Sequence, residues 1–146
     1  GIGSKAKIGS VRFLDGEGGE VTSVESGQQL TAVVECEALE PIDGLILGVN
    51  FYDNEGFMYC ANSYYENIDF GTIPPGRTRF TLSIPQLHLP TNKYACSVVI
   101  GQGTPDNLLD WQDKSYTLVV ARARNARGSI KLPTEWHAEN CAVTTD

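Results

Sequence analysis

Two sets of side chains in this 146-residue chain could do chemistry, and they point to different kinds. The first consists of planar amides, hydroxyls and rings: Asn50, Tyr52, Asn62, Tyr64, Ser97 and Gln102. A ring gives the C–H side of a pyranose a flat apolar surface, and amides and hydroxyls both donate to and accept from its oxygens. That combination holds a saccharide in water without altering it. Each member also has a packing reading: a tyrosine can lie half-buried with its hydroxyl wet, and Asn62 can simply hold a turn. The second set is carboxylates, Asp53, Asp69, Asp106, Asp110 and Asp113, from which a glycosidase pair could be drawn. Acids spread over turn-rich segments are ordinary loop chemistry. His88 sits between Leu87 and Leu89 in a proline-bracketed connection and His137 near the end, neither in the company of a triad or a metal site. No catalytic residue is assigned, and the chain is not expected to be an enzyme.

Nucleotide, metal and nucleic-acid chemistry find little support. No G-x-x-x-x-G-K-[ST] occurs, and Gly16-Glu17-Gly18-Gly19 is an acidic turn that repels phosphate. Cys36, Cys60, Cys96 and Cys141 have neither C-x-x-C spacing nor nearby histidines, so no zinc site and no cofactor are expected. A formal charge of −7 opposes a phosphate backbone or an anionic membrane as main partner. No apolar run is long enough to span a bilayer. Starting at Gly1 without methionine or signal peptide, the chain reads as a cut fragment, so missing targeting signals carry little meaning.

The elements that must position the first set are strands. A chain of this length with 41% hydrophobic content suits one domain, and folding then buries roughly 70% of the surface an unfolded chain exposes. Residues 5–15 read as a first strand with a phase slip at Gly9-Ser10, residues 21–26 lead to a second long strand at 28–38, and 45–52 follow. In 45–52, Leu45, Leu47, Val49 and Phe51 share one face, and Ile46, Gly48, Asn50 and Tyr52 the other. Asp53-Asn54-Glu55-Gly56 makes a hairpin turn into 57–63. Residues 77–84 alternate after Pro74-Pro75-Gly76, with Arg77 and Arg79 on the surface. In 93–100, Tyr94, Cys96, Val98 and Ile100 face one way and Ser97 the other. A loop is expected at 101–107, then strands at 108–111 and 116–121.

A tyrosine two residues before an inward cysteine, matched by an inward Cys36 on the second long strand, is the pattern of strands B and F in an immunoglobulin-like antiparallel β-sandwich. The strand C tryptophan is missing, since 44–53 contains none, which indicates a relative of that fold. A Cys36–Cys96 bridge and two reduced thiols both remain open, the latter favoured because buried cysteine commonly serves as a small apolar side chain. Residues 1–134 are assigned to the sandwich and 135–146 to a flexible tail. Within the first span, 122–134 is a basic link, with Arg122, Arg124 and Arg127, and a further short strand at 129–132. A strand after a link can pair with its own sheet or exchange with a second copy.

Several short stretches in order carry a family resemblance: residues 3–15 with their glycine turn, Ser26-Gly27-Gln28-Gln29-Leu30, the Asp53-x-x-Gly56 hairpin, Ile73-Pro74-Pro75-Gly76, the Tyr94 strand and Asp110-Trp111. Over residues 4–121 the chain resembles the C-terminal carbohydrate-binding domain of Wzt, the nucleotide-binding subunit of ABC transporters that export O-antigen polysaccharides. The resemblance implies an immunoglobulin-like sandwich and a homodimer with an exchanged terminal strand. It also implies non-catalytic recognition of the modified non-reducing end of a lipid-linked glycan in the cytoplasm, at the inner membrane, as part of the transporter, with the ATPase in a separate domain. Trp111 matches the family's Asp-Trp pair and is expected to be structural, under a loop. The alternative is a protein–protein or adhesive module that docks a partner by strand addition. The identity of the sugar, its cap and the sheet face that binds it are not readable from the sequence.

Overall fold

The computed structural model describes residues 2–130 and 132–141. Eight strands follow one another: β1 (Ala6–Leu14), β2 (Ser23–Glu25), β3 (Leu30–Ala38), β4 (Leu45–Asp53), β5 (Gly56–Asn62), β6 (Gly76–Ile84), β7 (Asn92–Gln102) and β8 (Thr104–Ala121). They form a three-stranded sheet, β1-β3-β6, and a five-stranded sheet, β2-β8-β7-β4-β5. All ladders are antiparallel except β2 with β8, which is parallel. The chain is an all-β, immunoglobulin-like sandwich.

Alternation explains the layers. Tyr94, Cys96, Val98 and Ile100 of β7 and Val49 and Phe51 of β4 are fully buried and face the other sheet. They meet inward residues of β3 such as Leu30, Ala32, Val34 and Cys36. Val49 and Phe51 fill the part of β4 where the fold's tryptophan is lacking. The phase slip in β1 is a bulge, with the register shifting between Ile8 and Ser10. The Tyr94 hydroxyl donates to the carbonyl of Pro90 at 2.5 Å, four residues upstream, which is the tyrosine corner of this fold. Asp15 holds the glycine turn, its Oδ1 accepting from the amides of Glu17 and Gly19.

The expected loop at 101–107 and the two short strands after it are instead one tight turn and one long strand. β7 and β8 join at Gly103, whose φ of 77° suits glycine, and Gln102 pairs directly with Thr104. β8 keeps pairing through register shifts, so the polar residues that looked like loop are absorbed as bulges. Residues 129–132 form no strand among the described residues, and Lys131 lies outside them. Ser129 is tied to the sandwich through its carbonyl, which accepts from the amide and hydroxyl of Thr91. The expected tail ends outside the described residues, at 142–146.

All four cysteines are free thiols. Cys36 and Cys96 lie in separate core clusters, so the bridge left open by the sequence does not form. Burial pushes both thiols up to about 12 from the ordinary 9.0, with Asp110 adding to the shift at Cys36. An acid raised on folding keeps its proton longer than the unfolded chain does. Native stability from these thiols is therefore full below pH 9.0 and is lost as pH rises through about 12. A thiol reagent at pH 8 is expected to modify exposed Cys141 rapidly and to spare Cys36 and Cys96 until denaturant is added. Equal rates at all the thiols of the native chain would contradict this burial.

Candidate functional site

The outer face of the five-stranded sheet is built from the alternate residues of β5, β4, β7 and β8. Across it, Asn62 pairs with Gly48, Gly48 with Val99, and Val99 with Trp111. The next row runs from Cys60 through Asn50 to Ser97. Gly48 is required by close approach, since a Cβ there would lie 2.9 Å from the Val99 side chain and 3.2 Å from Asn62 Nδ2. The missing side chain lets Asn62 and Val99 close over the strand at Gly48.

On the far side of β7, β8 bulges. Between the pairs Cys96–Tyr116 and Val98–Gln112, residues 113–115 oppose the single Ser97. Lys114 adopts a positive φ of 49° there. Ser97 clamps the bulge, its hydroxyl donating to Asp113 Oδ1 at 3.0 Å and accepting from the Lys114 amide at 2.8 Å. The Lys114 side chain then crosses the sheet, and its ammonium stands 4.9 Å from the centre of the Tyr52 ring. Phe57 meets Tyr52 edge-on at 5.5 Å. Asn50 Nδ2 lies 3.4 Å from the Tyr52 hydroxyl, and Asn50 Oδ1 is buried without a partner. Trp111 is 47% exposed on the same face.

Of the six residues singled out from the sequence, Asn50, Tyr52, Asn62 and Ser97 share this face, because β5, β4 and β7 are adjacent. Ser97 is wholly buried and acts through the bulge it clamps. Asn62 is also buried, and its Oδ1 accepts from the Tyr64 amide to shape the turn after β5. Tyr64 lies in that turn, beyond the strand, at the rim of a groove. Gln102 pairs with Leu45, an inward residue, so it stands at the sheet's end off the face, where its Nε2 donates to the Asp43 carbonyl. Trp111 is not under a loop. Leu109 is an extra residue between the pairs Ile100–Asp110 and Gly101–Leu108, and this bulge inverts the alternation expected from buried Leu109. Lys114 was missed, and Asp113 was considered only as a catalytic acid, for a related reason, since no sequence signal marks a three-residue bulge.

Of the five acids considered for catalysis, Asp53, Asp69, Asp110 and Asp113 have structural partners, Asp113 through Ser97. Asp53 accepts from the amides of Glu55 and Gly56 in the hairpin turn, and Asp69 from that of Gly71. Asp110 accepts from Ile8 and Trp111, linking β8 to β1 of the other sheet. His88 lies 3.2 Å from Gln86 Oε1. Arg79 pairs with Glu35 across β3 and β6, and Arg124 with Glu25. Among the described residues no group of three or more His, Cys, Asp and Glu side chains is placed to hold a metal ion. No helix among them is long and apolar enough to cross a membrane.

A polar, ring-bearing sheet face on an immunoglobulin-like sandwich defines a binding module. The family described as the Wzt C-terminal domain matches residues 3–132, and the chain belongs to that family. Its class is thereby that of a carbohydrate-binding domain of an ABC transporter, in a family of non-catalytic binding domains. The solved C-terminal domain of Wzt is similar in fold, with a TM-score of 0.77 at 21% identity over 92% of this chain and 84% of that one. A β-glucuronidase of Bacteroides uniformis is similar at a TM-score of 0.57 and 13% identity, over 80% of this chain but only 14% of the enzyme. The alkylpurine DNA glycosylase AlkC of Pseudomonas fluorescens, bound to DNA, gives 0.50 and 11%, over 82% of this chain and 31% of that one. These likenesses concern the sandwich alone. Comparison with curated proteins gives no match.

Proposed function

We propose that the outer face of the five-stranded sheet recognises the modified non-reducing end of an O-antigen polysaccharide, without catalysis, and so confers substrate specificity on an ABC exporter. The observation that carries this reading is a half-exposed Trp111 on the same sheet face as Tyr52 and the Lys114 that lies over its ring. Trp111 supplies a surface for a sugar's C–H side. Asp113, Lys114 and the Tyr52 hydroxyl offer acceptors and donors for its oxygens. The domain works in the cytoplasm at the inner membrane, carried by its transporter subunit.

Titration with oligosaccharides carrying and lacking the terminal modification tests the reading. The capped form is expected to bind, shifting the NMR signals of Tyr52 and Trp111, and Tyr52→Ala is expected to weaken it about tenfold while leaving the fold intact. Equal binding of both forms, or full affinity in the Tyr52 variant, would remove the proposed specificity.

A homodimer that exchanges residues 129–132 belongs to the same proposal, supported by the link at 122–128 that precedes them. Its value is assembly with a two-fold transporter more than affinity, since one chain end cannot occupy two sites. Deleting residues 129–146 is expected to convert the dimer to a monomer by light scattering. An unchanged dimer would reject terminal exchange.

A second reading is favoured by one feature. β5 is an edge strand whose Phe57, Met58 and Tyr59 are exposed, a surface suited to a protein partner by strand addition. A soluble capped oligosaccharide that perturbs nothing on the outer face would point to that use.

A further inference from the structure

At the Ile46 end of the same sheet face, the segment 64–72 arches away and borders an open groove of about 810 Å³ against the start of β4 and Gly103. Its volume suits a small ligand. Tyr64 and Tyr65 stand at its rim with rings 5.3 Å apart and perpendicular, and Tyr65 is 72% exposed. Rings so placed offer one flat surface and one edge, which an internal protein contact would have covered.

Asp43 and Asp69 complete the lining, which contains no lysine or arginine. Asp43 Oδ1 accepts from the Thr72 hydroxyl and Asp69 Oδ1 from the Gly71 amide, which fixes both carboxylates. The Oδ2 atoms remain as acceptors. A carboxylate accepts strongly from hydroxyl donors and repels an anion, and the chain's charge of −7 adds to that repulsion.

We infer that this groove is a second saccharide subsite, which takes an uncharged, hydroxyl-rich sugar ring and rejects carboxylated or phosphorylated ones. The inference rests on the reading of this chain as a glycan binder and adds a place and a charge rule to it. Lys114 gives the central face a cation, whereas the groove has none, so any anionic group on the glycan is directed away from the 64–72 end.

The probe is the O-polysaccharide released by mild acid from the lipopolysaccharide of the bacterium that carries the gene, titrated into the isotope-labelled chain. Amide signals of Gly44, Ile46, Gly71 and Gly103 are expected to shift together with those of Trp111. Tyr65→Ala is expected to weaken binding about tenfold. The same polysaccharide with its primary hydroxyls oxidised to carboxylates is expected to lose the groove shifts, and the double variant Asp43→Asn, Asp69→Asn to regain them. Shifts confined to the Trp111 region would overturn the groove and leave the glycan-binding reading standing, and no shift anywhere would overturn both. Groove shifts of equal size with the oxidised polysaccharide would overturn the charge rule. Because Tyr65 is exposed, a dispersed spectrum of its variant separates lost binding from lost fold.

Discussion

Replacing Tyr94 by alanine is expected to destabilise the sandwich by about 3–5 kcal/mol, the range for removing a large buried ring. The side chain is fully buried in the core cluster that joins β7 to β3, and its hydroxyl closes the tyrosine corner on Pro90. Alanine removes the ring's contacts and leaves the Pro90 carbonyl without its donor. Against a typical total of about 5–15 kcal/mol, such a loss takes a large share of the folding free energy. For a chain of this size it corresponds to a melting temperature lower by about 10 °C or more. Tyr94→Phe separates the two contributions, since it keeps the ring and removes only the hydroxyl, with an expected cost of about 1–3 kcal/mol. Urea denaturation followed by tryptophan fluorescence or circular dichroism measures both. A phenylalanine variant as unstable as the alanine one would show that the corner, not the packing, dominates.

Replacing Trp111 by alanine is expected to do the reverse, lowering glycan affinity about tenfold or more, ~1.4 kcal/mol or above, with stability changed by only about 0.5 kcal/mol. The ring is half exposed and its strand is held by pairing to β7 and by Asp110, so the fold does not depend on the indole. Calorimetric titration with the capped oligosaccharide, beside a thermal melt, reads the two effects separately. Unchanged affinity with a large loss of stability would return Trp111 to a structural role and shift the candidate site toward the 64–72 groove. Trp111→Phe should recover part of the affinity if a flat ring is what the sugar needs.

Much of this architecture is legible in the order of residues because alternation is a local property. Leu45 through Phe51 and Tyr94 through Ile100 declare their inward faces by period alone, and the structure buries those residues. The slip at Gly9-Ser10 is equally visible, since a bulge breaks the period. Asn50, Tyr52 and Ser97 follow on the opposite face. Gln102 does not, because the pairing with Leu45 continues to the end of β7 and fixes its side.

What local pattern could not yield lies in β8. There the polar stretches 104–107 and 112–115 resemble loops, and only pairing against a complete β7 holds them as one strand with bulges at Leu109 and at 113–115. Those bulges decide that Trp111 faces water, that Ser97 is sealed beneath Asp113, and that Lys114 reaches Tyr52. Residue type and spacing thus determined the strands up to β7, their inward faces and the family likeness. Tertiary pairing decided which side chains of β8 reach the outer face, because each extra residue in a ladder inverts the alternation and its position depends on a partner strand remote in the chain.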